Sequence, residues 1–209
     1  MAKLYFRYGV MGSSKTANAL MTRFNYEEKG MYAWVIKPSI DNRDDTVDET
    51  GRRISVIKSR IGLSAPVELV LPESNIVDMY NNLVEKVLGH DAAAIIVDEA
   101  QFLTEEQVSQ LVILVHKYNI PVLCYGLRTD FQTKLFPGSK RLMEVADIIE
   151  QVKHVCQCGS AAQINARLDP MGNVITEGDQ VAIGGNEMYE AMCWKCYMKS
   201  TLNSDDIEI

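Results

Sequence analysis

The apolar positions of this chain fall into short runs separated by polar, Gly- or Pro-bearing breaks, and the runs alternate between two periods. Lys3-Leu4-Tyr5-Phe6-Arg7-Tyr8 is apolar and aromatic, the pattern of a buried strand. Ala17-Asn18-Ala19-Leu20-Met21-Thr22-Arg23-Phe24 has a helical pattern that ends near Gly30. Met31 to Lys37 predicts a second strand and Val67 to Leu71 a third. Between them, Asp41 to Arg53 has few apolar anchors and predicts a mobile loop. From Asn75 to Leu88, Ile76, Tyr80, Leu83, Val84 and Val87 share one helical face. Ala93-Ala94-Ile95-Ile96-Val97 is a continuous apolar run, as in a parallel strand covered on both faces. Thr104 and Gln107 form a capping-box pattern that opens a helix to about Tyr118, and Pro121 to Gly126 is the next strand. Strands alternating with helices predict an α/β fold with a parallel sheet.

The pattern changes near residue 155. Paired cysteines, the turn sequence Asp169-Pro170-Met171-Gly172-Asn173 and Gly184-Gly185 predict short β segments and loops. A boundary around residues 150 to 155 divides a first domain, 1–153, from a small second domain, 154–203. The acidic end, 204–209, is expected to be a disordered tail.

Composition narrows the classes. The 209 residues are 47% hydrophobic, enough for a real core. The formal net charge is −7. Duplex-binding proteins carry a basic footprint, so no nucleic-acid polymer is expected as partner. No signal-peptide pattern and no run long enough to span a membrane is seen, so a cytoplasmic location is expected. The odd count of 5 cysteines then favours metal binding or catalysis over disulfides.

Candidate chemistry begins at Gly9-Val10-Met11-Gly12-Ser13-Ser14-Lys15-Thr16. This is the phosphate-loop pattern with Ser14 where its second Gly is expected. Such a loop wraps a phosphate in backbone N–H groups at the positive end of a helix. Lys15 would reach the β- and γ-phosphates, and the Thr16 hydroxyl would ligate Mg²⁺.

Asp98-Glu99-Ala100-Gln101 follows an apolar strand directly, and in a parallel sheet ligands gather at that end of the strands. Asp98 suits a role beside Mg²⁺, and Glu99 is then available to take a proton from an attacking hydroxyl or water. The same letters occur in helicase-type proteins. A nucleic-acid-stimulated P-loop ATPase and a non-catalytic nucleotide sensor are therefore competing readings.

Cys156-Gln157-Cys158 and Cys193-Trp194-Lys195-Cys196 would supply four thiolates to a tetrahedral zinc ion, a stabiliser suited to a small, loop-rich region. His154 is an alternative ligand. Cys124 lies within a strand and reads as core packing.

Together these motifs resemble the cytosolic, zinc-containing (type II) thymidine kinases over essentially the whole chain. The resemblance rests on the phosphate loop, Asp98-Glu99-Ala100-Gln101-Phe102, Tyr125-Gly126-Leu127-Arg128-Thr129-Asp130-Phe131, the cysteine pairs and Val181 to Tyr189. It implies a P-loop core with a zinc-binding lasso domain, and ATP-dependent phosphorylation of the 5′-hydroxyl of thymidine. Glu99 matches the general base. Gly9 to Thr16, with Asp98 and Gln101, match the ATP site, and Thr16 and Asp98 the Mg²⁺ ligands. Met11, Arg60, Phe102, Leu127, Phe131, Ile183, Gly184 and Tyr189 match the substrate site, Arg60 resembling a position near the phosphates and the lasso falling within about Leu168 to Tyr189. The resemblance also implies a homotetramer and feedback inhibition by thymidine triphosphate.

Overall fold

A computed structural model describes residues 1–41, 45–47, 49, 53–180 and 188–202. The first strand, β1 (Leu4–Tyr8), leads through the glycine loop into α1 (Lys15–Glu27), and β2 (Ala33–Pro38) follows. Two small hairpins come next: β3 (Thr46–Val47) with β4 (Arg53–Ile54), and β5 (Val56–Lys58) with β6 (Ser64–Pro66). Then come β7 (Glu68–Val70), α2 (Ile76–Leu83) with a π-helical turn at Val84–Leu88, and β8 (Ala94–Val97). A 3₁₀ turn (Ala100–Phe102), α3 (Glu105–Tyr118), β9 (Val122–Gly126), α4 (Pro137–Val145) and β10 (Ile148–Gln151) complete this part. The remainder holds β11 (Ile164–Leu168), β12 (Val174–Ile175), β13 (Tyr189–Met192) and α5 (Trp194–Thr201).

Six strands form one sheet in the order β10-β1-β9-β8-β2-β7, and every pairing in it is parallel. The two-residue side-chain period of a strand divides the core. Leu4, Phe6, Trp34, Ile36, Ile95, Val97, Val122 and Cys124 face α2, α3 and α4, where Tyr80, Leu111 and Leu142 meet them. Ala33, Val35, Ala94, Ile96, Leu123 and Tyr125 face the other way, onto Ala19 and Leu20 of α1 and onto Ile57 and Ala65 of the β5–β6 hairpin. Both faces of the sheet are therefore covered, as the unbroken apolar run at β8 predicts. Cys124 is fully buried, in agreement with its reading as core.

Most predicted elements appear within a residue or two of their expected limits. The capping box is formed in full: Gln107 N donates to Thr104 Oγ1, and Thr104 N donates to Gln107 Oε1. The described part of the polar segment after Asp41 differs from a plain loop, because it carries the β3–β4 hairpin. Lys37 helps to organise the region. It is completely buried, its Nζ donates to Val56 O at 2.9 Å, and it lies 3.7 Å from both Asp41 and Asp45. Three elements, α4, β10 and α5, carry too few buried apolar positions to stand out in the sequence: β10 is an edge strand with three exposed residues of four.

Beyond β10, β12-β11-β13 form a small antiparallel sheet. Its core unites Cys156, Ala162, Ala166, Met192 and Cys193 with Val10 of the glycine loop. The acidic end 204–209, expected to be a tail, lies outside the described residues.

Candidate active site

The sheet topology brings three strand ends together. The ends of β1 and β8 flank the end of β9, so the glycine loop and Asp98 approach one another across Gly126. Gly9 N donates to Gly126 O at 3.2 Å, and a Cβ at Gly9 would lie 2.6 Å from Val152 O. The loop then turns on itself, with Ser13 N donating to Val10 O at 3.2 Å. Gly12 has φ +81°, as glycine readily allows. Ser14 has φ 63°, so the position where the usual motif has Gly keeps the left-handed geometry with a side chain. Lys15 is buried, and its Nζ donates to Val10 O at 2.9 Å and to Ser13 Oγ at 3.4 Å. The loop's curvature thus gathers the ammonium and the start of α1 at one place.

Thr16 Oγ1 donates to Asp98 Oδ2 at 2.9 Å. Asp98 is buried. That burial, and then the neighbouring charge of Glu99, push its carboxyl up to about 7, while the Thr16 hydroxyl opposes the shift. A hydroxyl and a carboxylate side by side are hard oxygen ligands of the kind Mg²⁺ takes.

Glu99 has φ 50°, which turns the chain out of β8 into the 3₁₀ turn. Gln101 fixes that turn. Its Nε2 donates to Glu99 Oε2 at 2.6 Å, and its Oε1 accepts from Leu127 N at 3.0 Å. Two glycines permit the close packing. A Cβ at Gly126 would lie 2.6 Å from Gln101 Oε1, and one at Gly138 would lie 2.6 Å from Leu103 O.

The substrate-site residues of the sequence analysis are only partly assembled by contacts. Leu127 meets Gln101, and the Phe102 ring packs edge-on to Phe136 with centroids 5.6 Å apart. Phe131 is buried beneath the Arg167 guanidinium, which sits 3.7 Å from its ring centroid and donates to Tyr189 Oη at 2.8 and 3.0 Å. Met11 N donates to Asn165 Oδ1 at 2.7 Å. Arg60 lies in the turn of the β5–β6 hairpin and approaches Gly12. Ile183 and Gly184 lie outside the described residues.

Asn165 and Arg167 are buried polar residues that the motif reading missed. Their signal is alternation. In β11, Ala166 joins the cysteine core, while Asn165 and Arg167, on the opposite strand face, meet the loop and the aromatic pair.

The four cysteine Sγ atoms all lie within 4.8 Å of one another, and Cys158 and Cys193 are 3.6 Å apart. Tetrahedral zinc thiolates stand about 3.8 Å apart, so the donor set fits zinc. The first turn is closed by Gly159 N to Cys156 O and Cys156 N to Ser160 O, each 2.8 Å. The second is the start of α5, where Cys196 N donates to Cys193 Sγ at 3.5 Å. Hydrogen bonds from Ser160 draw the Cys158 thiol down to about 6, while hydrogen bonding to Cys158, Cys193 and Cys156 pushes Cys196 up to about 12, so with no metal bound the cluster shares its protons and Cys158 is the member nearest the thiolate. His154, the alternative ligand, instead points its ring at Gly12.

A parallel sheet whose first strand passes through such a loop into a helix, beside a buried aspartate at a nearby strand end, defines a P-loop nucleotide-binding protein. The family model described as thymidine kinase matches residues 2–197, and the chain belongs to the thymidine kinase family. It is 44% identical over 204 residues to the thymidine kinase of Zymomonas mobilis, with 98% of this chain and 100% of that protein covered. It is 42% identical over 200 residues to that of Aliivibrio fischeri, covering 96% and 98% of the two chains. The thymidine kinase of Haemophilus influenzae is 44% identical over 193 residues, covering 92% and 94%. Family membership favours neither the helicase-type nor the sensor reading. Among the described residues no helix is long and apolar enough to cross a membrane.

Proposed function

We propose that the chain transfers the γ-phosphate of ATP to the 5′-hydroxyl of thymidine, giving thymidine monophosphate for DNA precursor synthesis. The observation that carries this reading is the Thr16–Asp98 hydrogen bond, which joins the phosphate loop to the strand end bearing Glu99 in a chain of this family.

The loop's N–H groups and Lys15 bind and orient the donor phosphates, with Asp98 and Gln101 completing the ATP side. Thr16 and Asp98 would hold Mg²⁺, which when bound neutralises charge on the phosphates. Glu99 accepts the proton of the 5′-hydroxyl. The 5′-oxygen then bonds to the γ-phosphorus as the bond to the β,γ-bridging oxygen breaks. The Gln101 amide, donating to Glu99, holds that carboxylate in position. Met11, Phe102, Leu127, Phe131, Ile183, Gly184 and Tyr189 form the acceptor side under the lasso of residues 168–189, and Arg60, beside Gly12, completes the substrate site near the phosphates. Residues 1–153 act as the kinase domain and 154–203 as the lasso domain, which zinc on the four cysteines stabilises. A cytoplasmic homotetramer under feedback inhibition by thymidine triphosphate completes the proposal.

Purified protein is expected to convert thymidine and Mg·ATP to thymidine monophosphate and ADP. Glu99→Gln is expected to lower turnover by roughly 10² while ATP still binds. Full turnover in that variant would remove Glu99 as the base. Nucleic-acid-stimulated ATP hydrolysis with no thymidine product would overturn the activity itself.

A further inference from the structure

Two nitrogen-bearing side chains converge on Gly12. A Cβ at Gly12 would lie 3.2 Å from His154 Nε2 and 3.4 Å from Arg60 Nη1. They arrive from different parts of the fold. Arg60 comes from the turn between β5 and β6, which is closed by Ser59 N to Leu63 O at 2.8 Å and anchored at its base by Lys37. His154 comes from the segment between β10 and the first cysteine turn. That segment is held by Val152 N to Tyr8 O at 2.7 Å and Ala162 N to His154 O at 2.9 Å. Both side chains are thus delivered by backbone fixed on each side of them. Among the described residues, neither the imidazole nor the guanidinium enters a hydrogen bond or an ion pair.

Gly12 is the fourth residue of the eight-residue loop, within the arc whose N–H groups surround a phosphate. A donor nitrogen resting on that arc stands beside the anion the loop binds. We propose that His154 is a further phosphate-binding residue for the donor nucleotide, donating from Nε2 at Gly12 opposite Arg60. This rests on the nucleotide-binding reading above and adds to it a residue outside the loop and the Asp98–Gln101 turn. A neutral imidazole with its proton on Nε2 is a sufficient donor. A hydrogen bond to a charged phosphate oxygen is stronger than one between neutral groups. The proposal also gives Gly12 a second reason to lack a side chain. Besides its positive φ, a Cβ would crowd the imidazole. His154 precedes Cys156 by two positions, so the cysteine turn positions the residue at the phosphate loop.

The test uses the full chain in its zinc-loaded form, with calorimetric titration of Mg·ATP and, separately, of thymidine. His154→Ala is expected to weaken Mg·ATP about tenfold, the loss of one hydrogen bond to a charged group. Thymidine affinity and zinc content should be unchanged. His154→Gln keeps an N–H at similar reach and should recover most of the loss. Unchanged ATP affinity in His154→Ala would overturn the proposal. So would an equal loss of ATP and thymidine affinity with loss of zinc, which marks a packing role. If the parent protein binds ATP but does not phosphorylate thymidine, the proposed activity fails, while the comparison of ATP affinities still decides the role of His154.

Discussion

Thr16 Oγ1 and Asp98 Oδ2 stand 2.9 Å apart although 82 residues separate them in the chain. The bond partly offsets a costly burial. Asp98 is held at about 7 by burial and by Glu99, against an unfolded value of about 3.9. The folded state therefore binds more protons than the unfolded state between those values. Stability contributed at this site falls as pH rises through the window. Asp98→Asn cannot ionise. Without nucleotide or Mg²⁺ it should melt a few degrees above the parent at pH 8, with the gap closing below about pH 5. Its turnover should fall roughly 10²-fold, because the carboxylate is lost. Melting curves across pH would contradict this account if the variant were no more stable at pH 8.

Ser14 carries a side chain through a left-handed conformation, at φ 63° and ψ 24°. That geometry costs an ordinary residue about 1–2 kcal/mol, part of which Gly gives back through unfolded-chain entropy. Ser14→Gly should raise stability by up to about 1 kcal/mol and leave ATP affinity equal or tighter. A lower unfolding midpoint in denaturant would show that the side chain stabilises the loop.

Gly126→Ala tests the packing beneath the Glu99 turn. The added Cβ would meet Gln101 Oε1 at 2.6 Å and Gln101 N at 3.1 Å, the second of these a backbone atom. Gln101 would lose its place between Glu99 and Leu127. A destabilisation of about 2 kcal/mol is expected, with a turnover loss beyond tenfold. Unaltered kinetics would mean that Gln101 does not position Glu99.

Metal removal should act at a distance. Val10 packs in the cysteine core, and Asn165 of the same region accepts from Met11 N. Freshly reduced protein should hold about one zinc per chain. Stripping the metal should lower the melting temperature and weaken ATP binding together. Absence of zinc from reduced protein would sink the four-cysteine site, and intact ATP affinity after stripping would sink the coupling.

The local elements were legible because their signals are local. The Thr104–Gln107 capping box needs four residues and the β8 strand only its unbroken apolar run, and both formed as expected. The helix α4 and the edge strand β10 escaped notice because tertiary packing, more than periodicity, makes them. In α4, Gly138 lies against the carbonyls of the 3₁₀ turn, and β10 gains its order by pairing with β1. Asn165 and Arg167 were also missed, since a polar residue within a strand has no motif until its partner is known.

By itself, then, the sequence determined the chemical letters: the loop of Gly9 to Thr16, the Asp98–Glu99 pair and the four cysteines. The loop, the carboxylate pair and each cysteine pair by itself are short spacings set by backbone geometry or by ligand chemistry. The tertiary structure decided which of these meet. It placed β9 between β1 and β8, so that the loop and Asp98 close across Gly126. It gathered both cysteine pairs into one cluster and turned His154 away from it toward Gly12. The physical reason is that these contacts span from tens to about 150 residues. They are fixed by sheet order and by burial of the faces between, which no short stretch of sequence encodes.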